Sequence, residues 1–466
     1  MMASNPKYIV AGEKMLNKTI KRIMIAGTNS GCGKTTVTCA VLKSLLNKGL
    51  KVAAFKCGPD YIDPMFHSEI IGVKSRNIDL FLCGNNPSKY LFVKNSEDFD
   101  ISVVEGVMGF YDGLSENTSQ NSSCDISNKL DIPVILVVSY EGASLSVVAM
   151  IKGYLEFLEN NIRAVILNNV SKPLYPFYKK MIEGHVNIRV LGYMPNEPKA
   201  ALESRHLGLV TAQEVNSLNE KVDLLAKIAN ETIELDELLK IADATPPLQY
   251  EEIIIERHAS VKIAVARDKA FCFYYEDNLD LLSKYGAELI SFSPLEDKEL
   301  PENIDGLILG GGYPELYLQK LSENKSMLTS INDACSKGLP VYAECGGYMY
   351  LGKSIAASDG KYPMAGVIDM NSVMTDMLQN FGYITLAAKE DTMFLKSGEN
   401  VPAHEFHYSK SDKQFDVLHA QKSNGKSWNA GYCENRVFAG YPHIHFWADI
   451  NLAKRFIAKC KEYKNR

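Results

Sequence analysis

Cys345 stands in the stretch PVYAECGGYMYL, between an apolar run and a pair of glycines. The chain has ten cysteines and no CxxC pair, and free thiols of this kind are ordinarily packed apolar side chains. Here the context differs. The strand LPVYAE turns abruptly into glycines and then into a helical YMYL, and such an elbow exposes a sulfur and leaves the Gly346 amide to stabilise an oxyanion. A purely structural cysteine has no need of those glycines. LGGGYPELY is a second strand running into a glycine turn, and it supplies a further amide at Gly312. A base for the thiol comes from GYPHIHFW, where His443 and His445 follow a strand-like FAGY. Alternate positions of a strand share a face, so residue chemistry leaves either histidine as the base.

A second chemistry is written near the start of the chain. GTNSGCGKTT, residues 27–36, follows an apolar strand and opens the helix VTCAVLKSLLNKG. Amides of a glycine-rich turn at a helix N-terminus suit phosphate oxygens, a lysine adds charge at the outer phosphates, and an adjacent hydroxyl suits Mg²⁺. Gly31, Gly33, Lys34, Thr35 and Thr36 are the expected nucleotide-binding residues. Five residues separate Gly27 from Gly33 where the common pattern has four, so the loop is a variant. FKCGPDYIDP then puts Asp60 and Asp63 past the second strand, and VVEGVMGFYDG puts Glu105 and Asp112 past the third. In a parallel sheet those ends open on the edge that carries the phosphate loop. Thr35, Asp60 and Glu105 are therefore the expected metal ligands, with Asp63 and Asp112 serving the substrate or its activation. Taken singly, an aspartate in a turn is more often a cap or turn former; clustered on the phosphate edge, these four carboxylates favour the functional reading.

These residues require elements to hold them. RIMIAG, KVAAFKCG, ISVVEGV, IPVILVVSY, RAVILNNV and RVLGYMP alternate with helical stretches, as do VKIAVA, AELISFSP, IDGLILGGG, LPVYAECGG and FAGYPHIHF further on. Short apolar strands separated by helices imply an α/β fold with parallel sheets covered on both faces. The 466 residues exceed what one core ordinarily holds. We expect an N-terminal extension over 1–20, an ATPase domain over 21–245, a linker over 246–260 around Pro246-Pro247, and a second domain over 261–466. The net charge of −6 offers no attraction to nucleic acid or an anionic membrane. The N-terminal stretch has no apolar core of signal-peptide length, and no run is long enough to span a bilayer, so a cytoplasmic location is expected.

FKCGPDYIDP, VVEGVMGFYDG, RHLGLV, AFCFYYEDNLDLL, LGGGYPELYL, AECGGYMYL, HEFHYS and HIHFWAD, in that order, resemble the cobyrinate a,c-diamide synthases, glutamine-dependent amidotransferases of cobalamin synthesis. The similarity extends over nearly all of the chain after about residue 20. It implies an N-terminal P-loop ATPase domain similar to dethiobiotin synthetase and a C-terminal class I glutaminase-like domain. The implied substrates are cobyrinate, glutamine and ATP, with Mg²⁺ as cofactor. Of the two histidines the resemblance assigns His443 to activate Cys345. Class I glutaminases usually place a glutamate two residues later, where this chain has His445, so a dyad is expected in place of a triad. Ala403 stands where the family commonly has glycine before HEFHYS.

Other residues carry weaker signals. HEFH, residues 404–407, lacks the spacing of HExxH and is expected at a surface or a substrate cleft. Tyr274 and Tyr275 suit either the core or a cleft for a flat macrocycle, and Arg205 and His206 suit either substrate acetates or a structural role. Two rival functions remain open at this stage: amidation of nickel sirohydrochlorin by a closely similar enzyme, and a regulatory P-loop ATPase switch. The switch would not need the Cys345 half and usually carries an early loop lysine where this chain has Asn29. A homodimer stays open as the assembly.

Overall fold

The computed structural model describes residues 10–115, 117–140, 142–202 and 212–466. Two compact units emerge, one built mainly from Gly12–Leu80 and Gly84–Glu252, the other mainly from Ile253–Arg466. Arg205 and His206 lie outside the described residues. No helix among the described residues is long and apolar enough to cross a membrane.

The first unit carries β1 (Val10–Lys18), β2 (Arg22–Gly27), β3 (Val52–Cys57), β4 (Ser75–Ile78), β5 (Ile101–Glu105), β6 (Val134–Ser139), β7 (Ile162–Asn168), β8 (Arg189–Met194) and β9 (Leu248–Ile253). Seven of them form one sheet in the order β4-β3-β5-β2-β6-β7-β8, and every pairing in it is parallel. β2, β3 and β5 are buried at every residue, as strands covered on both faces must be. On one face Ile23, Ile25, Val52 and Ala54 meet Val37, Ala40 and Val41 of helix Lys34–Asn47, backed by Val222, Leu225 and Ala229 of helix Ala212–Thr232.

The ends of this unit differ from expectation. Within the segment read as a linker, Leu248–Ile253 forms β9, and it pairs with β1 from the segment read as an extension. The Pro246-Pro247 pair ends the preceding helix, but LQYEEI just after it buries Leu248, Tyr250 and Ile253, a pattern that a strand satisfies. Arg22 ties these pieces together. Its fully buried guanidinium donates from Nε to Leu130 O at 3.0 Å, from Nη1 to Ile20 O at 2.8 Å and from Nη2 to Pro246 O at 2.9 Å. Burial pulls its pKa down to about 10.

In the second unit β10 (Val261–Ala266), β11 (Ala287–Phe292), β12 (Gly306–Leu309) and β13 (Val341–Glu344) open a new parallel sheet. β14 (Ser354–Ala357), β15 (Gly360–Pro363), β16 (Asn371–Ala388), β17 (Asn400–Ser411), β18 (Leu418–Gln421) and β19 (Ser427–Ala430) follow in a separate, mostly antiparallel sheet. β20 (Tyr432–Glu434) and β21 (Val437–Gly440) return to the first sheet, whose order is β11-β10-β12-β13-β21-β20. β22 (His443–Ile444) then pairs with β17. Ala264, Leu307, Leu309, Val341 and Ala343 pack against Met327, Leu328 and Ile331 of helix Lys325–Ser336.

Replacing Arg22 by Met would leave three carbonyls facing a side chain with no donor, and a buried acceptor left unsatisfied costs about 1–3 kcal/mol, toward the low end where the carbonyls can relax. Arg22→Met is expected to lower the unfolding free energy by roughly 3 kcal/mol, read as the urea midpoint at unchanged slope.

Candidate active sites

Strand order decides what can meet at the end of β13. β12 lies on one side of it and β21 on the other, both parallel to it. Their carboxyl ends therefore deliver the 310–312 glycine turn, Cys345 and the segment leading to His443 to the same edge. Cys345 has φ 47° and ψ −100°, a positive φ that a side chain rarely adopts, and the helix Gly346–Leu351 starts directly after it. Its amide donates to Gly440 O at 2.8 Å and its carbonyl accepts from Met349 N at 3.0 Å, which holds the turn in place. The Sγ lies 3.9 Å from Phe406 O.

Gly346 N is the first amide of its helix, a position with no intrahelical acceptor. Gly312 N lies 3.4 Å from where a β-carbon on Gly346 would stand, so the two amides are near neighbours. Gly312 has φ 153°, and a β-carbon there would meet Ala270 O at 2.2 Å, so only glycine fits. His443 lies against the same turn: a β-carbon on Gly311 would come within 2.6 Å of its Cε1. The turn is braced by Tyr274, whose hydroxyl accepts from Gly310 N at 2.9 Å and donates to Ala266 O. Tyr274 thus serves the glycine turn.

The two histidines do not share a role. The strand read through FAGYPHIHF breaks at Tyr441-Pro442, so His443 enters β22 on another sheet while His445 caps the short helical turn Phe446–Ala448. Burial would push the His443 imidazole down, but its polar contacts with Cys345 and Glu344 and their charges hold it up at about 10. His445 lies on the ring of Tyr275 at 4.7 Å and accepts from Trp447 N at 3.4 Å. Burial alone pushes its pKa down to about 3. In HEFH, Glu405 accepts from Trp428 Nε1 at 3.3 Å and lies 3.5 Å from His407 Nε2, while His407 stacks on Tyr441 at 3.8 Å. His404, Glu405 and His407 are buried, which corrects the surface alternative for them, while Phe406 between them is exposed.

The other site lies at the end of β2. Gly31 and Gly33 adopt φ of 81° and 96°, and Lys34 opens the helix with Nζ donating to Asn29 O at 3.0 Å inside its own loop. Thr35 donates to Glu105 Oε1 at 2.6 Å. Thr36 follows on the same first turn. Glu105 ends β5 and pairs in register with Ile25 on one side and Lys56 on the other. Lys56 Nζ bridges Glu105 at 3.0 Å and Asp63 at 2.7 Å, and His67 Nε2 lies 3.1 Å from the second oxygen of Glu105. Burial raises the cost of charge on Glu105, yet Lys56, His67 and Thr35 together hold its carboxyl well below the usual range.

Asp60 adjoins that network through Asp63 and Lys56, while Asp112 lies in a turn after β5. Asp60 accepts from Ile62 N at 2.9 Å, and burial with the charge of Asp63 pushes it up to about 6. Asp112 accepts from Gly109 N at 2.8 Å, as a turn former does. Among the described residues no group of three or more His, Cys, Asp or Glu side chains is placed to hold a metal ion. The contact seen within the expected trio is that of Thr35 with Glu105. Lys56 and His67 escaped sequence reading. A lysine inside an otherwise apolar strand was the available signal for the first, and His67, in the irregular helical turn His67–Ile71, had none.

The sequence comparisons assign each site to a class. Residues 262–450 match the CobB/CobQ-like glutamine amidotransferase domain, and residues 23–210 match the CobQ/CobB/MinD/ParA nucleotide binding domain. The chain is therefore an amidotransferase in which a glutaminase-type unit accompanies a nucleotide-binding one. It is 42% identical to the cobyrinate a,c-diamide synthase of Clostridium tetani over 94% of this chain and 100% of that one. It is 41% identical to the enzyme of Caldanaerobacter subterraneus, covering 94% and 98% of the two chains, and 42% identical to that of Thermoplasma volcanium, covering 96% and 99%. The chain belongs to the cobyrinate a,c-diamide synthase family.

Burial of neutral histidines sets a pH dependence. Burial and the charge of His443 push His404 down to about 3, as burial alone does His445, against an ordinary 6.5. Between these values the unfolded chain binds protons that the folded chain refuses, so stability falls as pH drops below about 6.5, by at most about 1.4 kcal/mol per pH unit for each histidine. His443 has the opposite sign: its contribution is complete below about 6.5 and is lost as pH rises through about 10. His445→Asn keeps an acceptor for Trp447 N and is expected to flatten the acid limb of unfolding free energy against pH. An unchanged limb would locate the acid sensitivity elsewhere.

Proposed function

We propose that this chain converts the a and c acetate side chains of cobyrinate to amides, using ATP and the amide nitrogen of glutamine. The observation that carries the reading is the strained Cys345 elbow, with His443 and the Gly346 and Gly312 amides around it, in the same chain as the Lys34–Thr35–Glu105 phosphate site.

The chemistry follows from the poverty of a carboxylate as an acyl donor, its carbon being a weak electrophile with no good leaving group. His443 Nε2 takes the Cys345 thiol proton, and Sγ attacks the side-chain amide carbon of glutamine. The C=O pair moves onto oxygen, where the Gly346 and Gly312 amides receive it, each donor of this kind being worth roughly 2.7–4 kcal/mol. The pair returns, the C–N bond breaks, and ammonia leaves with the proton held by His443. Water then hydrolyses the thioester to glutamate and restores the thiol.

In the nucleotide-binding unit an acetate oxygen attacks the γ-phosphorus of ATP, forming an acyl phosphate as the bond to ADP breaks. Ammonia attacks the acyl carbon and phosphate departs, leaving the amide. The loop amides and Lys34 hold the β- and γ-phosphates. Lys56 stands beside Glu105 with Asp63 as its second partner, a buried cation suited to the charge of the transferring phosphoryl group. The Thr35 hydroxyl and the Glu105 carboxylate are hard oxygen donors in contact, a set that fits Mg²⁺. That ion, when bound, neutralises charge on the outer phosphates.

Cys345→Ser is expected to abolish glutamine-driven synthesis and to leave synthesis from ammonium salt within about threefold. Lys34→Ala is expected to abolish both, because the acyl phosphate precedes either nitrogen source. Mass spectrometry of products from cobyrinate and from nickel sirohydrochlorin, offered separately with ATP and glutamine, reads the substrate. A gain of two amide nitrogens on the nickel compound alone would overturn the corrin assignment.

A further inference from the structure

The residue two positions after the catalytic histidine is His445, and it does not supply the carboxylate that an imidazolium wants. Its ring packs against Tyr275 at a tilt and its Nδ1 takes the Trp447 amide. A carboxylate nevertheless reaches His443, from the opposite direction along the chain. Glu344, the last residue of β13 and the immediate neighbour of Cys345, is buried with Oε2 3.4 Å from His443 Nδ1. Its other oxygen is fixed independently: Oε1 accepts from Ile444 N at 2.8 Å and from the Tyr342 hydroxyl. Tyr342 is itself wedged among Phe394, Phe438 and Phe446, so the phenol is held where it meets the carboxylate.

We propose that Glu344 is the positioning carboxylate of the glutaminase site, taking from the strand before the nucleophile the role that an acidic residue two positions after the histidine would otherwise fill. The inference rests on the reading of Cys345 and His443 as nucleophile and base. Nδ1 lies at ion-pair distance from Glu344 without hydrogen-bond alignment, and a proton held at Nδ1 by that carboxylate leaves Nε2 as the acceptor for the thiol proton. The same carboxylate then stabilises the imidazolium until its proton passes to the departing amine. Glu344 touches neither glutamine nor the reacting carbon, so it acts through His443.

The geometry explains why strand identity matters. Glu344 pairs in register with Gly440 of β21, and Ile444, whose amide it holds, directly follows His443. One side chain therefore fixes both the orientation of the imidazole and the distance between β13 and β22. The other groups facing His443 are Cys345, His404 in register on β17, and Tyr342 behind Glu344. His404 is held neutral by burial. Glu344 is in ion-pair contact with His443.

The test compares glutamine hydrolysis by the parent, Glu344→Gln and Glu344→Asp across pH. Glu344→Gln is expected to lower kcat about a hundredfold or more with KM within about threefold, as loss of an orienting carboxylate does. Without the anion the imidazolium loses its proton more readily, so the alkaline limb of kcat/KM should move down by at least about one pH unit. Glu344→Asp should restore part of both. A lower rate with an unmoved limb, or an unchanged rate, overturns the proposal and leaves Glu344 as a strand tie. If Glu344→Gln loses its thermal transition, the question passes to ¹⁵N-histidine NMR of Cys345→Ser protein, with His443 identified by its loss in a His443→Ala partner. A ring protonated at Nδ1 and titrating at least about one unit above 6.5 supports the proposal, and a ring titrating at the ordinary value overturns it. Glutamine hydrolysis that survives Cys345→Ser would strike the underlying reading, whereas an unmoved limb beside a Cys345-dependent parent strikes Glu344 alone.

Discussion

Each unit ends a central parallel strand in a buried glutamate, and a buried carboxylate persists as a charge only where cations or donors surround it. Glu105 closes β5 and Glu344 closes β13. Glu105 is met by Lys56, His67 and Thr35, Glu344 by His443, Tyr342 and the Ile444 amide. Neither set could be recruited from one stretch of chain. Parallel register brings it in from neighbouring strands, which is why Lys56 sits directly across from Glu105 and why His443 arrives after the strand that pairs with β13. Cutting one partner from such a group exposes the full desolvation cost of the other, about 3–5 kcal/mol for a buried ion pair. The two sites are thus also the points where each fold is least tolerant of change.

The Cys345 turn adds a cost of its own. A non-glycine residue at φ 47° and ψ −100° carries backbone strain of order 1–3 kcal/mol. The strain is held by bonds that release of the turn would break: Cys345 N to Gly440 O and Met349 N to Cys345 O on the peptide itself, with Gly347 N to Gly310 O alongside. The result is a thiol whose direction comes from the backbone, so His443 and the two glycine amides need no rearrangement to meet it. Preorganisation of that kind is where stabilisation of a developing oxyanion comes from.

Much of this was legible in sequence because it is local. The phosphate loop, the Cys345 elbow and the glycine turn are each a few consecutive residues with glycines at fixed places, and each lies where its stretch predicts. Parallel α/β architecture was equally legible, since apolar strands buried on both faces need no partner to be recognised. What escaped was long-range or broke a local rule. Lys56 meets Glu105 across 49 positions and Ile444 meets Glu344 across 100. Asp60 and Asp112 were grouped with the phosphate edge by strand order; both also accept backbone amides within their own turns, and Asp60 in addition feels the charges of Asp63 and Lys56. The two histidines were read by the period of a continuous strand, but β21 ends at Gly440 and the new strand β22 ends at Ile444, so His445 lies outside it as the cap of the next helical turn.

Glu344 shows a subtler limit. It adjoins Cys345 in sequence, and a glutamate ending the apolar run VYAE was visible as an anomaly, but strand alternation would send neighbouring side chains to opposite faces. The elbow undoes that rule. Because Cys345 leaves the strand with a positive φ, its sulfur is no longer bound by the pleat, and residues 344 and 345 are both able to address the imidazole that follows β21. A positioning carboxylate beside the nucleophile therefore requires the strained turn. Strain at Cys345 serves two ends: it presents the sulfur, and it lets the preceding residue take the place of an acid that the His445 position lacks.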